Sequence, residues 1–418
     1  MNRYEIEDLV GTAEAEIEPA LKRIKKTTLD NQRKVLEAFW SERVSQADFN
    51  GTTGYGLDDE GRDKLERIYA LVFRAPAALV RQQIVSGTHA IRLGLFGTLR
   101  PGNHIVFASG GPYDTLESVV GIRPTPGSLA EWGITYTIVP LTESGSLDVK
   151  AIKNAVKPET TVVMFQRSRG YSQRPALTID ELEQAFNNLS AYRPNLLFFV
   201  DNCYGEFVET REPVEVGAHL VMGSLIKNPG GGLASTGGYV IGEADLVEKA
   251  AAQLTAPGVG AEIGPSQHLL REFYQGLYMA PHTVGEALSG SVLAANVLAR
   301  CGFKCSPVWD EPRSDLILSV EFDSADNLLL FCRAVQSAAA VDSFVVPQPA
   351  PMAGYDDEVV MAAGTFVQGG SLELSADAPL RAPYFGYIQG GLTYEHVRIA
   401  VENILSEIFS RNGPENPF

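Results

Sequence analysis

Two apolar runs in this chain end in opposite charges. Asn195-Leu-Leu-Phe-Phe-Val-Asp201 closes on a carboxylate, and His219-Leu-Val-Met-Gly-Ser224-Leu-Ile-Lys227 closes on a lysine followed by Asn228-Pro-Gly-Gly-Gly232. Each run has the length and composition of a buried strand. In open α/β sheets ligands sit beyond the carboxyl ends of the strands, so both groups are expected to face one place. A lysine whose pKa is lowered by surrounding charge and desolvation is a nucleophile toward an aldehyde. A carboxylate facing a pyridine nitrogen keeps it protonated, and the ring then accepts the electrons of a substrate carbanion. Together they are the pair that pyridoxal phosphate (PLP) chemistry needs, with Lys227 joined to the cofactor aldehyde and Asp201 on the ring nitrogen. Singly, Lys227 reads as a solvated loop lysine and Asp201 as a helix cap; the pairing in strand context favours the chemistry.

Three further segments supply what such a site would use. Val85-Ser86-Gly87-Thr88-His89-Ala90 lies where a strand passes into a helix, and small residues there let a phosphate approach the free N–H groups of the helix start. Ser86 and Thr88 would otherwise simply cap that helix. Ser224 is a second phosphate candidate. In Ser109-Gly-Gly-Pro-Tyr113 the tyrosine ring can stack on a pyridine, or its hydroxyl can give a proton to a leaving thiolate, although core packing is the common fate of a tyrosine. The loop Gln166-Arg167-Ser168-Arg169-Gly170-Tyr171 follows a strand, and its arginines either bind substrate or pair with carboxylates.

These residues need a scaffold of alternating strands and helices. Residues 1 to about 48 read as an amphipathic helix broken by Asn50–Gly56, and a second helix runs from Asp59 through Val72. Strands are expected at Ala78–Val85, His104–Ala108, Ile134–Leu141, Thr161–Phe165, Asn195–Val200, His219–Gly223 and Gly238–Ile241, with helices such as Thr88–Leu99 and Ile179–Leu189 between them. Short apolar runs alternating with helices predict an α/β fold with a mostly parallel sheet covered on both faces. Later come a long helix at Val284–Cys301, a strand at Asp315–Phe322, a helix at Ala325–Ala340, strands at Val359–Phe366 and Ser371–Ser375, and a closing helix at Tyr394–Phe409. The expected organisation is an N-terminal helical arm (1–75), a large α/β domain (76–290) and a smaller α+β domain (291–418).

The 418 residues suit more than one core. A net charge of −17 argues against nucleic acid and anionic membranes, which need a cationic surface. No apolar run is long enough to span a bilayer, and the first residues carry no signal pattern, so a cytoplasmic protein is expected. The four cysteines show no zinc-type spacing and the six histidines are scattered, which argues against a metal site.

The segments Gly54–Glu66, Arg81–Ile91, Gln166–Tyr171, Val200–Phe207, Gly223–Gly232 and Gln368–Asp377, in that order, resemble the fold-type-I PLP enzymes with an aminotransferase-like fold. Within that superfamily the likeness is to the Cys/Met-metabolism branch, and there to the methionine gamma-lyase family, also known as aluminium-resistance proteins. It covers about residues 50 to 400. The resemblance implies that Lys227 carries the cofactor, Asp201 meets the pyridine nitrogen, Tyr113 stacks on the ring, and Gly87, Thr88 and Ser224 hold the phosphate. It also implies a homotetramer built from dimers, in which a tyrosine from the neighbouring subunit reaches the phosphate. Tyr55 matches that tyrosine; Leu57 stands where the accompanying arginine would be, and Arg62 is its candidate substitute. The branch clamps the substrate carboxylate with a C-terminal arginine, which Ser371–Ala376 lacks, so Arg381 is the first candidate and Arg313 the second, unless both are surface ion-pair residues. The implied activity is carbon-sulfur elimination from a sulfur amino acid. Another PLP-dependent reaction, as in an aminotransferase or aldolase, and a non-catalytic PLP-binding regulatory or metal-tolerance role are the alternatives.

Overall fold

A computed structural model of the chain describes residues 1–352 and 355–412. The larger of its two sheets has seven strands: β1 (Ala77–Arg81), β2 (His104–Phe107), β3 (Thr135–Ile138), β4 (Thr160–Gln166), β5 (Leu197–Asp201), β6 (Leu220–Ser224) and β7 (Gly238–Gly242). Their order is β1-β7-β6-β5-β4-β2-β3. Only β7 runs against the others, pairing antiparallel with both β1 and β6. Successive side chains of a strand point to opposite faces, and here both faces are apolar. Phe198 and Val200 enter one buried cluster and Phe199 the other; Val163 and Phe165 divide from Val162 and Met164 in the same way.

The helices that cover this sheet are α1 (Arg3–Ser41), α2 (Glu60–Val72), α3 (Gly87–Thr98), α4 (Asp114–Val120), α5 (Val149–Ala155), α6 (Ile179–Tyr192), α7 (Ala244–Leu254) and α8 (Leu270–Arg300). On one face α3 and α7 contribute Leu93, Phe96, Leu246 and Ala250; on the other α2, α6 and α8 contribute Leu65, Phe186 and Leu277. Helix starts follow local chemistry. Asn2 and Glu5 form a reciprocal capping box on α1, and the Asp59 carboxylate accepts the N–H of Arg62 at 3.0 Å to start α2.

The second sheet is antiparallel, in the order β10-β11-β12-β9-β8, from β8 (Lys304–Ser306), β9 (Leu318–Phe322), β10 (Val359–Ala362), β11 (Ser375–Pro379) and β12 (Tyr384–Gln389). It packs with α9 (Ala325–Ser337) and α10 (Tyr394–Asn412) into a third buried cluster.

The sequence reading differs from the structure in several places. The long helix begins at Leu270, not Val284, and runs through Pro281, because its buried stripe of Leu277, Ala280, Val284 and Ala287 continues across the proline. The strand expected at Ser371–Ser375 is a turn up to Leu374, where the Glu373 carboxylate accepts the N–H groups of Phe366 and Val367 at 2.8 and 2.9 Å. The strand itself is β11, β8 and β12 are additional strands, and the strands expected at Ala78–Val85 and Val359–Phe366 end at Arg81 and Ala362. No helix among the described residues is long and apolar enough to cross a membrane.

Candidate active site

The register of the central strands brings the carboxyl ends together. Gln166 at the end of β4 lies beside Asp201 at the end of β5, and Asp201 lies beside Met222 of β6. Three residues after β6 the chain delivers Lys227. Asp201 and Lys227 line one cavity of about 170 Å³, together with Ser86, Gly87, Thr88, Tyr113 and Ser224. The sheet thus gathers residues spread over more than a hundred positions of sequence into a single pocket.

Asp201 is buried, and its Oδ1 accepts the N–H of Cys203 at 3.1 Å. Burial pushes its carboxyl above the ordinary range, while Lys227 pulls the other way. The lysine differs from the sequence expectation. Burial does work against its charge, but the acidic groups of Cys203, Tyr204, Asp201 and Glu206 outweigh burial and raise its pKa instead of lowering it. Its Nζ also sits 4.1 Å from the centre of the Tyr204 ring, a favourable place for a cation.

The phosphate candidates converge on the start of α3. The Ser86 hydroxyl caps that helix by accepting the N–H of His89 at 3.0 Å and lines the cavity as well, so its two sequence readings hold together. Thr88 Oγ1 is hydrogen-bonded to Thr115 Oγ1 at 2.7 Å. Gly87 approaches so closely that an added Cβ would stand 2.8 Å from Cys203 Sγ and 3.8 Å from Ser224. Ser224 Oγ is buried and has no hydrogen-bond partner among the described residues. A buried hydroxyl in that state costs free energy unless a ligand meets it. The orphaned hydroxyl, the close approach at Gly87 and the helix start together fit a phosphate. The residues therefore suit PLP, with Lys227 for its aldehyde and Asp201 for its ring nitrogen.

Tyr113 lines the same cavity and shares a hydrogen bond with the Tyr355 hydroxyl. Burial raises its pKa well above the usual phenol value, so the hydroxyl keeps its proton. Tyr204, Gln166 and Thr115 also line the site, and sequence reasoning missed them in these roles. Tyr204 carried one signal, its place three residues after Asp201; its backbone has φ 71°, an unusual left-handed conformation for a tyrosine.

The predicted arginines do not gather with this group. Arg167 is fully buried and spends its guanidinium on Asn202 Oδ1 (2.9 Å), the Gly205 carbonyl (2.8 Å) and Glu209 (2.7 Å); it does not line the cavity. Arg313 borders a different cleft, between α1 and the segment 309–314. Arg381 pairs with Asp357 at 2.9 Å, yet it does border a neighbouring cleft with Tyr113, Arg169, Tyr171 and Arg174. Arg62 is buried, donating to the Gly56 and Gly264 carbonyls, so it is committed to the scaffold. Tyr55 is 76% exposed and does not line the cavity of its own chain.

Four likenesses to known proteins bear on this site. The family model described as methionine gamma-lyase matches residues 6–409. Protein YnbB of Bacillus subtilis (strain 168) is 48% identical over 400 residues, 95% of each chain. A crystal structure from Clostridium novyi NT, of a carbon-sulfur lyase involved in aluminum resistance, is 45% identical and has a TM-score of 0.93, covering 97% of this chain and 96% of that one. The pyridoxal-5'-phosphate-dependent protein YhfS of Escherichia coli shares the fold at 20% identity, with a TM-score of 0.62 over 92% of this chain and 97% of its own.

Proposed function

Because the chain belongs to the methionine gamma-lyase family, we propose that it is a PLP-dependent carbon-sulfur lyase acting on a sulfur-containing amino acid. The observation that carries this reading is one cavity holding the Lys227 amine, the Asp201 carboxylate and the unpartnered Ser224 hydroxyl. When bound, PLP supplies an aldehyde for an amine and a ring that takes up the electron pair left at the substrate α carbon.

The chain's own residues do the rest. Ser224 Oγ, Thr88 Oγ1 and the N–H groups at the start of α3 bind the phosphate. Asp201 holds a proton on the ring nitrogen. Lys227 Nζ takes the proton from the α carbon when it stands there as the neutral amine. For γ elimination the amine would first have to give up that proton and then take a second from the β carbon. Tyr113, protonated and hydrogen-bonded to Tyr355, offers its proton to the departing sulfur. One water is consumed in hydrolysing the unsaturated amine that remains, so the products are a thiol, a 2-oxo acid and ammonia. The exposed position of Tyr55 suits the same reading extended to assembly, in which dimers pair into a tetramer and Tyr55 completes the neighbour's phosphate site. Four free cysteines suit a reducing compartment such as the cytoplasm.

Reconstitution with PLP tests the reading. Near-visible absorbance should appear, borohydride should fix the cofactor to Lys227, and Lys227→Ala should lose both. A panel of sulfur amino acids should then yield thiol and 2-oxo acid in equal amounts. Keto acid without thiol would indicate an aminotransferase, and aldehyde release an aldolase. Normal absorbance with no turnover of any amino acid would indicate a regulatory or metal-tolerance role.

A further inference from the structure

A second cavity of about 170 Å³ adjoins the first, walled by β11, β12 and the segment 361–371. Tyr113, Tyr204 and Lys227 line both, so the two meet at the amine. Asp377 of β11 stands on the wall of the second cavity and is only 5% exposed. Its Oδ2 accepts from the Tyr171 hydroxyl at 2.9 Å and from the Gln389 amide at 3.0 Å. Burial pushes the Asp377 carboxyl above its ordinary range, and the two donors on one oxygen pull it back toward the ionised form. Its Oδ1 is buried with no hydrogen-bond partner among the described residues, and the Ser371 hydroxyl on the same wall is in the same state.

Among the buried acids Asp48 is matched by Lys64 at 2.6 Å, whereas Asp59, Glu206, Asp315 and Glu373 have no ion pair among the described residues. Asp377 has none either, with Lys227 acting on it only from beyond ion-pair distance, and it combines an orphaned oxygen with a place on a cavity wall. A buried carboxyl oxygen left without a partner is costly, and on a cavity wall a ligand can supply one. Tyrosines also line the cavity, and the rings of Tyr113, Tyr171 and Tyr355 lie 5.7 to 6.1 Å apart, centre to centre. Tyrosine rings beside a carboxylate suit a positively charged nitrogen.

We propose that this cavity receives the leaving half of the substrate, and that Asp377 selects a thiol fragment carrying an ammonium group. The assignment rests on the lyase reading above and narrows it to amino acids whose sulfur substituent ends in an amine. A simple alkyl thioether leaves Asp377 Oδ1 and Ser371 Oγ without partners.

The test is a near-isosteric pair, S-(2-aminoethyl)cysteine and S-propylcysteine. In the PLP-loaded protein the amine should be favoured in kcat/KM by roughly ten- to a hundred-fold, the range for a hydrogen bond to a charged group. Asp377→Asn should bring the ratio close to one while leaving the cofactor absorbance unchanged. A wild-type ratio at or below one, or a preference that survives in Asp377→Asn, overturns the proposal. If the variant does not fold, the wild-type ratio decides alone. If neither compound releases a thiol, the lyase reading has failed, and calorimetric dissociation constants for the same two compounds decide the subsite by themselves. Tighter binding of the amine then upholds the assignment of the cavity, and equal constants sink it.

Discussion

Behind Lys227 lies a carboxyl that touches neither cavity. Glu206 is fully buried; its Oε1 accepts the Tyr239 hydroxyl at 2.6 Å, and its Oε2 has no partner among the described residues. Burial raises it from its ordinary value of 4.5 to about 8. The folded state therefore keeps a proton that the unfolded chain releases above 4.5. Its contribution to stability is complete below that pH and is lost as pH rises through about 8. Glu206→Gln keeps an acceptor for Tyr239 and removes the titration. Calorimetric melting should show the variant gaining on the wild type between pH 5 and pH 8, with the two converging at the acid end. A constant difference across that range would assign the effect to packing.

At the level of elements, the turn that follows Lys227 is tightly constrained. Gly231 has φ 58°, and a Cβ there would lie 2.3 Å from the carbonyl oxygen of Gly276 in α8. Only a glycine satisfies both the backbone conformation and the close approach. Gly231→Ala should cost about 2–4 kcal/mol in urea unfolding, at the upper end of the usual range for a point change. It should also weaken PLP affinity, since the turn fixes the lysine. A variant that melts lower but binds PLP normally would separate the turn from the site. Elements whose burial is two-sided were readable in the sequence: β4, β5 and β6 are near-continuous apolar runs. The small sheet was less readable. Ser371–Leu374 alternates like a strand, yet Glu373 folds it into a turn by bonding backbone N–H groups that lie earlier in the chain.

Across the whole molecule, α1 ties two cores together. Its first half places Val10, Ala13 and Ile17 in the cluster of the small sheet, and its second half places Val35 and Ala38 in the cluster of the large one. Ile17→Ala removes a fully buried side chain and should cost about 2–5 kcal/mol. Because Ile17 lines neither cavity, kcat/KM measured well below the melting temperature should stay unchanged. A loss of activity without a loss of stability would show that α1 couples the two sheets functionally.

The pattern of residues alone determined the α/β class, the two strand-end groups Asp201 and Lys227, and the small residues at the start of α3. Those features are local: an apolar run ends, a charge or a glycine follows, and the parallel sheet dictates the rest. Tertiary structure decided which arginines are structural, that Lys227 stands among acids that raise its pKa, and that Asp377 faces the site across a ring of tyrosines. Those facts depend on groups brought together over hundreds of residues. Electrostatic and hydrogen-bond partners are set by distance in space, which spacing along the chain does not encode.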